Sequence, residues 1–171
     1  MILPVYTYNH PVLKQRTAQI NDMSDELRNL IRDMFETMYK ANGIGLAANQ
    51  VGKGLSLTVI DISDRDEGEE PGQIVMIYPV IEAFSDDEEE FEEGCLSLPD
   101  YRDTVIRPSA IQVRYLDASM TERVLEADGL VARVMQHEID HLNGVLFIDH
   151  LSKLKRDRVV KKFTKLAKRE P

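Results

Sequence analysis

The chain has 171 residues, 43% of them hydrophobic, a single cysteine and a formal net charge of -9. That length and apolar content suit one domain, residues 1–171, with its own core; no apolar run approaches the ~18 residues that span a bilayer, and Met1-Ile2-Leu3-Pro4-Val5-Tyr6 lacks the basic start and long apolar stretch of a secretory signal. A cytoplasmic protein with neither a membrane nor DNA as partner is expected, and a lone Cys95 agrees with a reducing compartment. The charge is uneven: residues 152–171 hold nine Lys/Arg and two acids, a balance of +7, which leaves -16 on the rest.

In chain order, residues 6–14 read as an irregular arm, because Pro11 disfavours helix at His10. Ser24 is an N-cap for a first helix, with Asp25 and Glu26 in the first turn and an apolar stripe of Leu27, Leu30, Ile31, Met34 and Met38. Asn42-Gly43 ends it. The next segment, Gly43-Ile44-Gly45-Leu46-Ala47-Ala48-Asn49-Gln50, is rich in glycine and small residues. Glycine permits close backbone approach, so the segment is either a substrate-lining strand or a tight helix-to-strand connection. Residues 55–62 and 74–81 read as strands on either side of a polar loop, 64–73. The acid run 85–90 reads as solvated surface without a function.

Further along, residues 110–116 alternate as a half-buried strand, and 117–120 turn into a partner strand over 122–127. Asp128 caps a central helix. Residues 145–148 read as a short buried strand, and Ser152 opens a last helix with Leu154, Val159, Phe163, Leu166 and Ala167 facing inward. Antiparallel strands around a central helix, with one helix near each end of the chain, make an α+β fold.

The central helix carries His137-Glu138-Ile139-Asp140-His141. At about 3.6 residues per turn, histidines four apart point from one face toward a single ion. Glu138 neighbours both and can accept a proton from a metal-activated water without ligating. Leu130, Val131, Val134, Met135, Ile139 and Leu142 make the helix apolar around much of its circumference, which carries these polar groups into the interior, where they need partners. Two histidines require a further ligand. The thiolate of Cys95 is the strongest candidate; an Asp, a Glu or a third histidine also serves, although His10 and His150 read as structural or surface residues.

Three segments, residues 43–50, Glu93-Gly94-Cys95-Leu96-Ser97 and Gln136-His137-Glu138-Ile139-Asp140-His141, resemble the three motifs of the peptide deformylases in order and separation. Arg102, Arg107-Pro108 and Gly129-Leu130 resemble the bacterial-type pattern between them. The resemblance implies a hydrolase that removes the formyl group from the N-terminal formylmethionine of nascent chains. Cys95, His137 and His141 would hold one divalent ion, usually Fe2+, with Zn2+, Ni2+ or Co2+ able to occupy the same ligands. Glu138 would be the base, and the Gln50 amide and Leu96 backbone N–H would bind the oxyanion. Ile44, Leu96 and Val134 would line a methionine pocket. Gly43, Ile44, Gly45, Leu46 and Gly94 would meet the peptide main chain, and Arg102 would bind a peptide carbonyl or pair with Glu93. The basic last helix would either contact ribosomal RNA or form a solvated face.

Two other readings remain open on the residues alone. An HExxH endopeptidase would draw its third ligand from Asp149 or His150, and a Cys95→Asp variant would not disturb its metal site. A non-catalytic ribosome-associated module with structural zinc would close a four-ligand site and leave Glu138 without a use.

Overall fold

The computed structural model describes residues 1–64, 67–69 and 72–168. Its organising strand is β2 (Leu57–Ile60), a run of apolar and β-branched residues buried at every position. It pairs with β1 (Gly45–Ala47) on one side and β3 (Ile74–Phe84) on the other, and β6 (Ala110–Leu116) and β7 (Glu122–Asp128) extend the sheet in the order β1-β2-β3-β6-β7. Every neighbouring pair is antiparallel. Because side chains alternate across a strand, Leu57 and Val59 face one side and Ile60 the other. Helix α1 (Asp25–Lys40) packs Leu27, Ile31, Met34, Phe35 and Met38 into a cluster with Leu57, Val59 and Ile77. On the opposite face, α2 (Gly129–Leu142) packs Ala132, Met135 and Ile139 with Ile60, Met76, Ile111 and Val113.

A separate hairpin, β4 (Glu88–Cys95) with β5 (Leu98–Pro108), adds a third cluster. Its Leu98 and Val105 join Tyr8, Phe147 and Ile148, together with Val159 and Phe163 of α3 (Lys153–Ala167).

The α+β class and the three helices agree with the sequence expectation, and Ser24 caps α1 by accepting the Leu27 N–H at 3.1 Å. Several details differ. Strand β2 is shorter than residues 55–62, and β3 runs past 81 to Phe84. The acid run is exposed as expected, but Glu88, Glu89 and Glu90 lie in β4, where cross-strand hydrogen bonding to β5 overrides their low strand preference. No strand forms at 145–148. Residues Phe147–His150 make a 3-10 turn instead, with Asp149 Oδ2 accepting the Leu146 N–H at 3.0 Å. Residues Pro11–Lys14 of the arm also form a 3-10 turn. Only Val159 and Phe163 of α3 are buried; Leu154 (64% exposed), Leu166 (42%) and Ala167 face solvent, since the helix rests on the body along one narrow stripe. Of the 64–73 loop, residues 65, 66, 70 and 71 lie outside the described residues.

Candidate metal centre

Residues 132–139, His141 and Leu142 of α2 are buried, so its polar side chains must be satisfied by other elements. His137 and His141 sit one turn apart with ring centroids 5.0 Å from each other. The end of β4 brings Cys95 Sγ to 3.3 Å from His141 Nε2. Cys95 Sγ and one ring nitrogen of each histidine lie within 4.8 Å of one another. The hairpin makes this approach by turning through only Leu96 and Ser97, with a register shift between Gly94 and Cys95.

Ser97 Oγ fastens that turn by donating to the Tyr6 carbonyl at 2.7 Å. It also accepts from Gln50 Nε2 at 3.1 Å. Gln50 closes the 3-10 segment Ala48–Val51 by accepting the Ala47 N–H on Oε1 at 2.9 Å, which leaves Nε2 3.5 Å from Cys95 Sγ. Its donor end therefore faces the Cys95 sulfur.

Glu138 is 3% exposed, with Oε1 3.8 Å from His137 Nε2. Its Oε2 is buried without a hydrogen-bond partner among the described residues. Burial pushes this carboxyl up to about 7 against the opposing charge of His137. Gly45 is required here, since a Cβ at that position would lie 2.9 Å from both Cγ and Oε1 of Glu138. Strand β1 thus approaches the carboxylate as only glycine allows.

His137 Nδ1 lies 3.0 Å from Glu93 Oε1. Donation of its proton there leaves Nε2 with a lone pair for an ion and fixes the ring's orientation. Burial pushes His137 down, but its hydrogen bonds with Cys95 and Glu93 prevail and lift it to about 10. Burial and the neighbouring His137 charge push His141 well below its ordinary value. The surroundings thus favour one positive charge within the cluster. One soft thiolate and two imidazoles suit a divalent transition metal, and the unpartnered Glu138 oxygen calls for a polar guest beside it. The residues fit a bound ion.

Behind His137, Glu93 anchors a network that the sequence did not announce. It accepts from Arg107 Nε at 2.6 Å and Nη2 at 3.0 Å, and from Arg133 Nη1 at 2.6 Å. Burial pushes Glu93 up, but the hydrogen bonds from His137 and Arg107, with the Arg107 charge, hold it well below the usual carboxylate range. Arg107 Nη1 continues to Asp140 Oδ2 at 3.0 Å, and His150 Nε2 lies 2.8 Å from the same oxygen. Of the two roles the resemblance left open for Arg102, the pairing with Glu93 does not form. Arg102 Nε donates to Glu92 at 2.8 Å on the exposed side of the hairpin, because the Glu93 carboxylate is fully engaged inside. A sequence signal for Arg133 did exist: a lone arginine amid the apolar residues of α2 must be buried with anionic and carbonyl partners.

The cluster opens into a cavity of about 630 Å³, to which Gln50, Cys95, His137 and Glu138 contribute. Gly43, Ile44, Gly45, Gly94, Leu96, Arg102 and Val134 also line it. Leu46 does not; strand alternation turns it away from Gly45 into the α1 cluster, where it is fully buried. Asp149 and His150 are absent from the ligand cluster, since Asp149 accepts from Arg156 and the Leu146 N–H while His150 meets Asp140. That removes the third ligand an endopeptidase would need.

A family model described as Polypeptide deformylase matches residues 2–157. A peptide deformylase of Brucella suis is 51% identical over 166 residues, covering 97% of this chain and 94% of the relative. Among solved structures, peptide deformylase from Ehrlichia chaffeensis is similar with a TM-score of 0.89 at 36% identity, covering 98% of each chain. The Ehrlichia chaffeensis enzyme in complex with actinonin gives 0.88 at 40% identity over 96% of each. With that identity along nearly its whole length, the chain belongs to the polypeptide deformylase family.

Proposed function

We propose that Cys95, His137 and His141 hold the metal ion of this deformylase and that Glu138 is its general base. The enzyme is a hydrolase that removes the formyl group from the N-terminal formylmethionine of newly made polypeptides. The observation that carries the proposal is the three ligand atoms within 4.8 Å of one another, beside a buried Glu138 whose Oε2 has no partner among the described residues.

A divalent ion in this ligand set supplies Lewis acidity toward water and a carbonyl oxygen. Glu138 takes the proton of the attacking water as it adds to the formyl carbon. It then passes that proton to the departing amine nitrogen as the C–N bond breaks, giving formate and a free N-terminus. Gln50 Nε2 and the Leu96 backbone N–H donate to the oxygen that gains charge on the way, and loss of one such donor costs about 10²–10³ in rate. A Gln50→Leu variant is expected to lose that much in kcat. Ile44, Leu96 and Val134 accommodate the methionine side chain. Gly43, Gly45 and Gly94 give the peptide main chain close access to the walls of the cleft. Arg102, held by Glu92 at the rim, meets a peptide carbonyl.

In this proposal Fe2+ is the native ion, with Zn2+, Ni2+ and Co2+ able to use the same donors. Residues 1–171 act as one domain in the cytoplasm. The exposed lysines and arginines of α3 contact ribosomal RNA phosphates through salt-sensitive attraction.

The test is formate release from a short formyl-Met peptide by protein purified without oxygen, since a thiolate ligand is oxidisable. An acetyl-Met peptide, too large for a tight formyl site, serves as the control, and metal is assayed in the same sample. Release from the formyl peptide alone, blocked by the actinonin seen bound to the Ehrlichia chaffeensis enzyme, is the expected result. No release from protein carrying about one metal per chain would overturn the proposal.

A further inference from the structure

The 3-10 turn Phe147–His150 that follows α2 reaches the metal centre from both of its ends. Phe147 stacks on the His137 ring, with centroids 5.9 Å apart and 26° between the planes. His150 lies outside the ligand cluster with its side chain 38% exposed, yet its Nε2 is 2.8 Å from Asp140 Oδ2. A carboxylate oxygen only accepts, so Nε2 carries the proton and donates in either charge state of the ring. The oxygen it meets is the one that accepts from Arg107 Nη1 at 3.0 Å.

From Asp140 the contacts run inward without a gap. Arg107 gives Nε and Nη2 to Glu93, and Glu93 Oε1 lies 3.0 Å from His137 Nδ1. Exposure falls along this line, to only 4% at the Arg107 side chain. A planar guanidinium bidentate on Glu93 is fixed at one end, and Asp140 fixes the other. Asp140 is partly exposed, however, so water competes for its oxygens. A second donor on the same oxygen holds the carboxylate against rotation toward solvent. His10 makes the contrast plain: its Nδ1 accepts the Val12 N–H at 3.2 Å, a cap confined to its own turn.

We infer that His150 is a positioning residue for the metal centre: by donating to Asp140 it holds the Arg107 fork on Glu93, and so fixes the His137 ring that Glu93 orients. The inference rests on the metal-centre reading above, in which His137 is a ligand. His150 acts through three intervening side chains and touches neither ion nor substrate. Losing a group bonded directly to a ligating histidine costs about 10–100-fold in metal affinity. Three contacts further out, the loss should be about three- to tenfold, the size of one ordinary hydrogen bond.

The test uses Co2+ as the probe in the unaltered protein, His150→Ala, His150→Gln, Asp140→Ala and the Asp140→Ala/His150→Ala double variant. Co2+ affinity, the visible absorption of the Co2+-loaded protein, thermal unfolding, and kcat and KM on a formyl-Met peptide are measured for each. His150→Ala should weaken Co2+ binding by about three- to tenfold, shift the absorption bands and lower kcat with KM unchanged. His150→Gln, which keeps an N–H donor for Asp140, should restore all three. In the Asp140→Ala background, His150→Ala should have no further effect on affinity, because the contact it removes is already gone. A purely structural turn residue would lower thermal stability and leave Co2+ affinity and absorption as they were. That result would overturn the inference, as would a Gln variant that does not restore affinity or a double variant whose losses add. If Asp140→Ala does not fold, the Ala and Gln variants at the exposed His150 decide alone. Failure of the unaltered protein to bind Co2+ would instead overturn the metal-centre reading, so the two failures are distinguishable.

Discussion

Helices α2 and α3 both carry charged side chains, and burial gives those charges opposite meanings. In α2, Arg133, His137, Glu138 and His141 are each at most 9% exposed, and Arg133, His137 and Asp140 are tied through Glu93 and Arg107. In α3 only Val159 and Phe163 are buried, and the charged side chains face solvent. A charge taken out of water must be matched by geometry, whereas an exposed one is screened. Substitutions in the two regions should therefore differ sharply in effect.

The largest effect is expected from Glu93→Ala, which leaves Arg107 and Arg133 buried with one anion fewer and frees the His137 ring. Removing one partner of a buried charge cluster costs about 3–5 kcal/mol, and losing the group that orients a ligating histidine costs about 10–100-fold in metal affinity. Denaturant unfolding with metal titration reads both, and a loss under about 1 kcal/mol, the range of surface pairs, would erase the contrast.

A buried acid away from the metal centre sharpens it. Asp61, 1% exposed, accepts from Tyr39 Oη at 2.6 Å and from the Ser63 N–H at 2.9 Å. Burial pushes its carboxyl up, but hydrogen bonds from Ser63 and Tyr39 prevail and leave it below the ordinary value of 3.8. A lowered carboxyl stabilises the fold above its unfolded value and ceases to do so as pH falls through the folded one. Asp61→Asn should cost about 1–3 kcal/mol at neutral pH. Its deficit should shrink as pH falls below about 4, a trend that unfolding curves measured against pH would check. A deficit that grows in acid would be contrary.

The smallest effect belongs to α3. Lys155 Nζ lies 3.4 Å from Asp103 Oδ1 with its side chain 56% exposed. Lys155→Ala should change stability by less than about 1 kcal/mol and leave metal content alone, as thermal unfolding and metal assay would record.

How much of this could be read from the sequence follows the same division. The stripe of α1 was legible because one face of a 3.6-residue period meets the core, and the cap at Ser24 was legible because its hydroxyl acts within one turn. The HExxH pair on α2 was legible for the same local reason, and ligand chemistry already favoured Cys95 as the third ligand, with the resemblance setting it above an acid or a further histidine. Contacts between distant segments were not legible. Glu93 meets Arg107 and Arg133 only because the hairpin folds onto α2, and Arg102, closer in sequence, turns outward to Glu92. The inward face of α3 was overestimated for a related reason: apolar spacing shows that Leu154 and Leu166 can be buried, but what the body offers them depends on the width of the surface beneath.

The central claim is that Glu138 moves a proton and holds no metal, while Cys95, His137 and His141 hold the ion. It is tested most directly by measuring formate release and metal per chain together in Glu138→Gln. About one metal per chain is expected, as in the unaltered enzyme, with kcat reduced by about 10²–10⁴, the range for loss of a general base. Loss of the metal from the variant, or formate release at the original rate with the metal retained, would contradict it.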